Sequence, residues 1–120
     1  MTKQLSFTKY ENRVIPNFRE MVNKAESTED LKKFFVYSTK ELLDSIFAGQ
    51  IDFDYEDFVL NPDCEPYYRL SDRLLAMEAF SSVWNDSDLP RVIFRLAESA
   101  VRHHRRLERR PEKSDTKIRV

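Results

Sequence analysis

A chain of 120 residues, 41% hydrophobic and 34% charged, is long enough to bury one core without metals or disulfides, and one domain is expected. Nine Phe, five Tyr and one Trp exclude intrinsic disorder, while one Gly against five Pro leaves little material for tight β-turns, nucleotide-cradling loops or nucleophile elbows, so the expected class is all-α. The net charge of −1 argues against a generic polyanion binder, and the lone Cys64 excludes an internal disulfide.

The first element runs from Ser6 to Ala25, where Phe7, Tyr10, Val14, Phe18, Met21, Val22 and Ala25 recur at the three- and four-residue intervals of one helix face. Pro16 falls inside it and predicts a bend near Val14 to Pro16, because its ring displaces the carbonyl of residue 12 and it donates no hydrogen bond. The second helix follows Ser27 or Thr28 as N-cap, carries acids in its first turn and ends at Gly49. Its apolar positions Leu31, Phe34, Phe35, Leu42, Leu43, Ile46 and Phe47 form an arc too broad for one neighbour. The spacing therefore predicts a central helix, or one that also meets a partner.

Residues 50–65 lose the helical period. Ile51, Phe53 and Tyr55 alternate with acids ahead of a short turn at 55–60, which predicts an ordered acidic connection pinned by its aromatics. A third helix is expected from Pro66 or Ser71 to about Trp84, with Leu70, Leu74, Met77, Ser81 and Trp84 on one stripe and Leu75, Ala79 and Val83 on a second edge. The segment NDSDLP then provides caps and an early-turn proline for a last helix over about 88–109. The expected architecture is about four helices in a small bundle over residues 1–110, antiparallel where connections are short, with 111–120 as a flexible tail.

Charge is divided along the chain. From Glu41 to Tyr68 there are eight acids and no Lys or Arg, whereas from Arg91 onward ten bases stand against four acids. At about 100° per residue, Arg91, Arg95, Arg102, Arg106 and Arg109 share one side of the last helix, opposite Val92, Ile93, Leu96, Ala100 and Leu107. That stripe rises over about 27 Å. Three uses compete for it: a solvated face complementing the helix dipole, a grip on nucleic-acid phosphates, or bidentate pairing with carboxylates of the 52–65 segment or of a neighbouring chain.

Candidates for chemistry are weaker. His103 and His104 are adjacent and point about 100° apart on a helix, whereas paired helical ligands need a spacing of three or four. His104 and Glu108 have that spacing, but two ligands among arginines make a poor cation site, and His104 is expected as a partly buried, hydrogen-bonded side chain beside Ala100 and Leu107. Residues 52–63 place Asp52, Asp54 and Glu56 at calcium-loop positions one, three and five. The pattern then fails, with Asp57 where glycine belongs, Pro62 at position eleven and Asp63 in place of the bidentate glutamate. Cys64 has no basic neighbour to make it a thiolate nucleophile, and Phe34, Phe35 and Trp84 read as core. No catalytic set, metal site or cofactor is expected.

These features predict a non-catalytic helical module for protein–protein interaction or oligomerisation, with nucleic-acid binding through the arginine stripe as the alternative. Arg102, Arg105, Arg106 and Arg109 are the expected electrostatic contacts, and Tyr37, Tyr55, Tyr67 and Tyr68 the expected rim anchors. The start MTKQLSFTKY lacks the apolar stretch of a secretory signal, and no run approaches the roughly 20 apolar residues of a membrane span. Cytoplasmic residence, without membrane partners, is the resulting expectation.

Overall fold

A computed structural model describes residues 6–109, except for the side chain of Arg109. The expected tail at 111–120 lies outside the described residues. Among the described residues, five helices and one two-stranded sheet make up the fold: α1 (Thr8–Lys24), α2 (Thr28–Phe47), a 3-10 turn (Tyr55–Asp57), β1 (Phe58–Leu60), β2 (Tyr68–Leu70), α3 (Asp72–Ala76), α4 (Glu78–Asn85) and α5 (Leu89–Arg109). The mostly helical class stands, with two corrections: a hairpin occupies the acidic connection, and the third helix is two.

Helix α1 buries Glu11, Val14, Phe18 and Val22, the three- and four-residue spacing read from the sequence. The helix is not divided at Pro16. Asn12 and Pro16 both lie on the exposed side, where water can replace the missing hydrogen bond. No side chain of its own caps α1; instead the backbone N–H of Phe7 donates to Asp88 Oδ1 at 2.8 Å, and the Ser6 hydroxyl donates to Asp88 Oδ2 at 3.0 Å. Next to it, Ser87 Oγ accepts from the N–H of Leu89, so residues 87 and 88 start two helices at once.

Helix α2 is capped by Ser27, whose Oγ accepts from the N–H of Asp30 at 3.2 Å. It ends with Ala48 at φ 53° and Gly49 at φ 77°, so the left-handed exit is shared with a non-glycine residue. The helix packs against α1, α5 and β1, which accounts for its broad arc: Leu31, Phe35, Val36, Leu42, Leu43 and Phe47 are all buried within the chain. Of the two readings of that arc, the central helix is the one observed.

After α2, Ile51 and Phe53 turn inward and Tyr55 outward. Strands β1 and β2 pair antiparallel with Phe58 opposite Leu70, Val59 opposite Arg69 and Leu60 opposite Tyr68. The connection closes without glycine: Tyr67 adopts φ 73°, its N–H donates to the Cys64 carbonyl at 2.8 Å, and its carbonyl accepts from Asn61 N–H at 2.7 Å. Strands of three residues are too short to display a period of two, which is why no sheet was legible.

Ser71 Oγ caps α3 through the N–H of Leu74 at 3.2 Å. The expected helix to Trp84 is interrupted at Met77, which is extended (φ −80°, ψ 118°). That single residue shifts the phase of everything after it. Leu74 and Phe80 become the fully buried positions, Leu75 is 47% exposed, and Phe80 stacks between Phe47 (5.7 Å) and Trp84 (5.5 Å). Phe53 completes the cluster, 5.8 Å from Phe47 and from Phe58. Helix α5 then buries Leu89, Val92, Ile93, Leu96, Ala97, Ala100, Val101 and His104, alternating steps of three and one along a continuous seam.

Candidate functional site

The functional side chains singled out by sequence sit mainly on α5. Its seam faces α1 and α2, which leaves Arg91, Arg95, Arg102, Arg105 and Arg106 exposed. Arg109 is the last described residue of the helix, and its side chain lies outside the described residues.

Arg95 is engaged within the chain. Its Nε donates to Glu11 Oε2 at 2.7 Å and its Nη2 to Glu11 Oε1 at 2.6 Å, a bidentate pair joining α5 to α1 across 84 residues of sequence. The Glu11 side chain is only 5% exposed, and that of Arg95 is 42% exposed. Sequence reading missed this pair, although a signal existed: Glu11 lies four residues after Phe7 and three before Val14, an acid on an apolar stripe.

Arg105 places its guanidinium 5.6 Å from the centre of the Tyr67 ring, and that ring stacks on Phe94 at 6.0 Å. The contact fastens the hairpin connection to α5 through an aromatic face, where a carboxylate was expected. Among the described residues, no ion pair joins Arg102, Arg105 or Arg106 to an acid. Asp57 and, at 3.9 Å, Asp54 pair instead with Arg73 of α3, whose Nε donates to Asp57 Oδ1 at 3.3 Å and whose Nη2 donates to Asp57 Oδ2 and, at 2.9 Å, to the backbone carbonyl of Asp52. Burial alone would push the Asp57 carboxyl above the usual carboxylate range; the Arg73 hydrogen bonds, the Ser71 hydroxyl and the N–H of Asp54 outweigh it and hold the carboxyl below that range.

The four tyrosines divide into two pairs. Tyr37 and Tyr55 are half exposed and meet edge to face at 6.0 Å. Tyr67 and Tyr68 are half buried and tie the hairpin to the helices. Tyr68 donates its hydroxyl to the Pro90 carbonyl at 3.3 Å and sets its ring edge-on to Trp84 at 6.1 Å. Burial pushes its phenol up to about 12. A phenol whose folded value exceeds its unfolded value of about 10 contributes stability in full below that unfolded value, and the contribution fades as pH rises toward 12. Alkaline absorbance titration is therefore expected to show a late phenolate component near 12 that is absent in Tyr68→Phe. Loss of the late component with Tyr68 intact would mean that the ring is solvated.

His103 donates from Nδ1 to the Ser99 carbonyl at 3.0 Å, with Nε2 3.1 Å from Asn23 Oδ1, and so adds a second polar link from α5 to α1. His104 is buried as expected, but its Nδ1, 3.4 Å from Glu108 Oε1, makes no hydrogen bond among the described residues. No group of three potential metal ligands forms among the described residues, and none of their helices is long and apolar enough to cross a membrane.

Between α1 and α5 lies a shallow cavity of about 230 Å³. Ile15, Phe18 and Leu96 contribute its apolar side, and Arg19, Arg95 and Arg102 its cationic side. Compared with protein-family models, curated proteins and solved structures, the chain matches none.

Proposed function

We propose that this protein is a non-catalytic, electrostatically guided interaction module, which docks the arginine face of α5 onto an acidic surface of a protein partner or of a second copy of itself. The observation that carries this reading is a mismatch of charge within the chain. Arg73 pairs with Asp54 and Asp57, while Arg102 and Arg106 stay exposed without an acid among the described residues. Glu56, Asp63 and Glu65 are exposed acids outside that pairing, so two copies could pair basic face to acidic connection. The large hydrophobics exposed among the described residues are Tyr37, Tyr55, Val59 and Leu75. So sparse a set fits a transient encounter steered by charge better than an obligate apolar interface.

Arg102, Arg105, Arg106 and Arg109 are the contacts assigned, with Tyr37 and Tyr55 as the exposed aromatic pair, and a cytoplasmic setting belongs to the same reading. Light scattering coupled to size exclusion, at low and high salt, tests it on the wild type and on the variant with those four arginines changed to alanine. The expected result is an assembly at low salt that dissociates at high salt and does not form in the variant. A monomer throughout removes the second copy as partner. Assembly that ignores both salt and the four substitutions refutes the arginine face. Binding of a single-stranded oligonucleotide, lost in the variant and falling steeply with salt, would favour the nucleic-acid alternative.

A further inference from the structure

The cavity between α1 and α5 has a chemistry more specific than the basic face around it. Its cation Arg95 is already aligned: Nε and Nη2 are held by the two oxygens of buried Glu11. A guanidinium carries five N–H bonds. The three of Arg95 that Glu11 does not use have no acceptor among the described residues. Arg19 from α1 and Arg102 from α5 line the same cavity, both exposed and neither in an ion pair among the described residues. Glu98 also lines it, so three arginines stand against two glutamates and one positive charge remains. Half-buried Ile15 lies beside them, and the buried Phe18 and Leu96 form the apolar floor of a lining that is otherwise mixed polar and apolar.

We propose that this groove is a carboxylate-binding site that receives one glutamate or aspartate side chain, with an apolar neighbour, from an acidic segment of a protein partner. The proposal rests on the interaction-module reading and names the partner chemistry for it. The net charge of the lining matches a single carboxylate and not a phosphodiester chain, which would set a series of charges along the helix. A volume of about 230 Å³ suits a side chain; cofactors and metabolites occupy sites upward of roughly 300 Å³. Arg95 is the preorganised donor, since its orientation is fixed by Glu11 before any ligand arrives, and Arg19 and Arg102 close on the carboxylate from either helix.

The probe is N-acetylglutamate amide, a mimic of a glutamate side chain within a peptide, titrated into the full chain while the arginine Nε–Hε signals are followed by NMR. Saturable shifts are expected at Arg19, Arg95 and Arg102, with a dissociation constant on the order of millimolar for so small a ligand. No saturable shift is expected at Arg91 or Arg106, which do not line the groove. N-acetylglutamine amide should give no saturation, and Arg102→Ala should weaken the acid at least tenfold, whereas Arg106→Ala should leave it within twofold.

Equal response to the glutamine analogue, equal sensitivity to Arg106→Ala, or no saturation at the groove arginines would each overturn the proposal. Tighter binding of inorganic phosphate than of the glutamate mimic at the same three arginines would reassign the groove to phosphate. The two readings fail separately. A monomer that still saturates with the probe keeps the groove and loses self-assembly, while salt-sensitive assembly without probe binding keeps the arginine face and loses the groove.

Discussion

Phe80→Ala is expected to destabilise the protein by about 3–5 kcal/mol, the usual range for emptying a buried phenylalanine site. Phe80 is wholly buried and stacked between Phe47 and Trp84, with Phe53 meeting it edge-on at 6.2 Å. It thus joins the end of α2, the acidic connection and α4. Planar rings on three separate elements cannot all move inward to fill the space, so most of the cavity would persist. A loss of that size lowers the melting temperature by roughly 12–20 °C for a domain of this length. The informative control is Leu75→Ala. Leu75 shares the apolar edge that an unbroken third helix would bury, yet it is 47% exposed, and its truncation should cost well under about 1 kcal/mol. Thermal melts followed by circular dichroism on the two variants decide the matter. Equal destabilisation would mean that the break at Met77 does not exist.

The second large effect belongs to the pair between α1 and α5, and it should be asymmetric. Arg95→Ala leaves the Glu11 carboxylate, 5% exposed, facing no cation, and about 3 kcal/mol of stability is expected to be lost. Glu11→Ala leaves Arg95, which is 42% exposed and can turn its guanidinium to water, so about 1–2 kcal/mol is expected. Replacing both with alanine should be milder than Arg95→Ala alone, because the stranded charge is gone. Chemical denaturation of the four members of this cycle measures the coupling. If Glu11→Ala proves as costly as Arg95→Ala, the carboxylate is solvated and the alignment of Arg95 in the groove fails with it.

The legibility of each element in the sequence follows from the range of the forces that set it. Helix α5 was legible from Pro90 to its end, because a helix of its length repeats its apolar period many times and declares its own capping residues. The third helix was misread because α3 has five residues and α4 eight, fewer turns than a phase change needs to show itself. No local residue at Met77 breaks the helix; burial of Phe80 among rings from other segments selects the broken form. The hairpin was missed for a related reason, since its seven-residue connection uses Tyr67 at positive φ where a glycine would have been a signal.

The site divides in the same way. Exposure of Arg102, Arg105 and Arg106 follows from helix phase, and the polarised charge follows from counting. What each arginine meets does not. Arg105 meets Tyr67 across the hairpin connection, Arg73 pairs with Asp57 and Asp54 of the acidic segment that was one of the partners open to the arginines of α5, and Arg95 is matched to Glu11 from the opposite end of the chain.

By itself, then, the amino-acid order determined the mostly helical class, the choice of Ser27 or Thr28 as the cap of α2, the buried seam of α5 and the basic face opposite it. All are decided within a few turns of chain, by periodicity and by hydrogen bonds between near neighbours. Only the tertiary structure decided which charges neutralise one another, where the third helix breaks, and that Arg19, Arg95 and Arg102 share one groove. Those outcomes depend on side chains from separate elements, from 16 residues apart for Arg73 and Asp57 to 84 for Glu11 and Arg95, competing for the same few ångströms of space, and no local pattern records the winner.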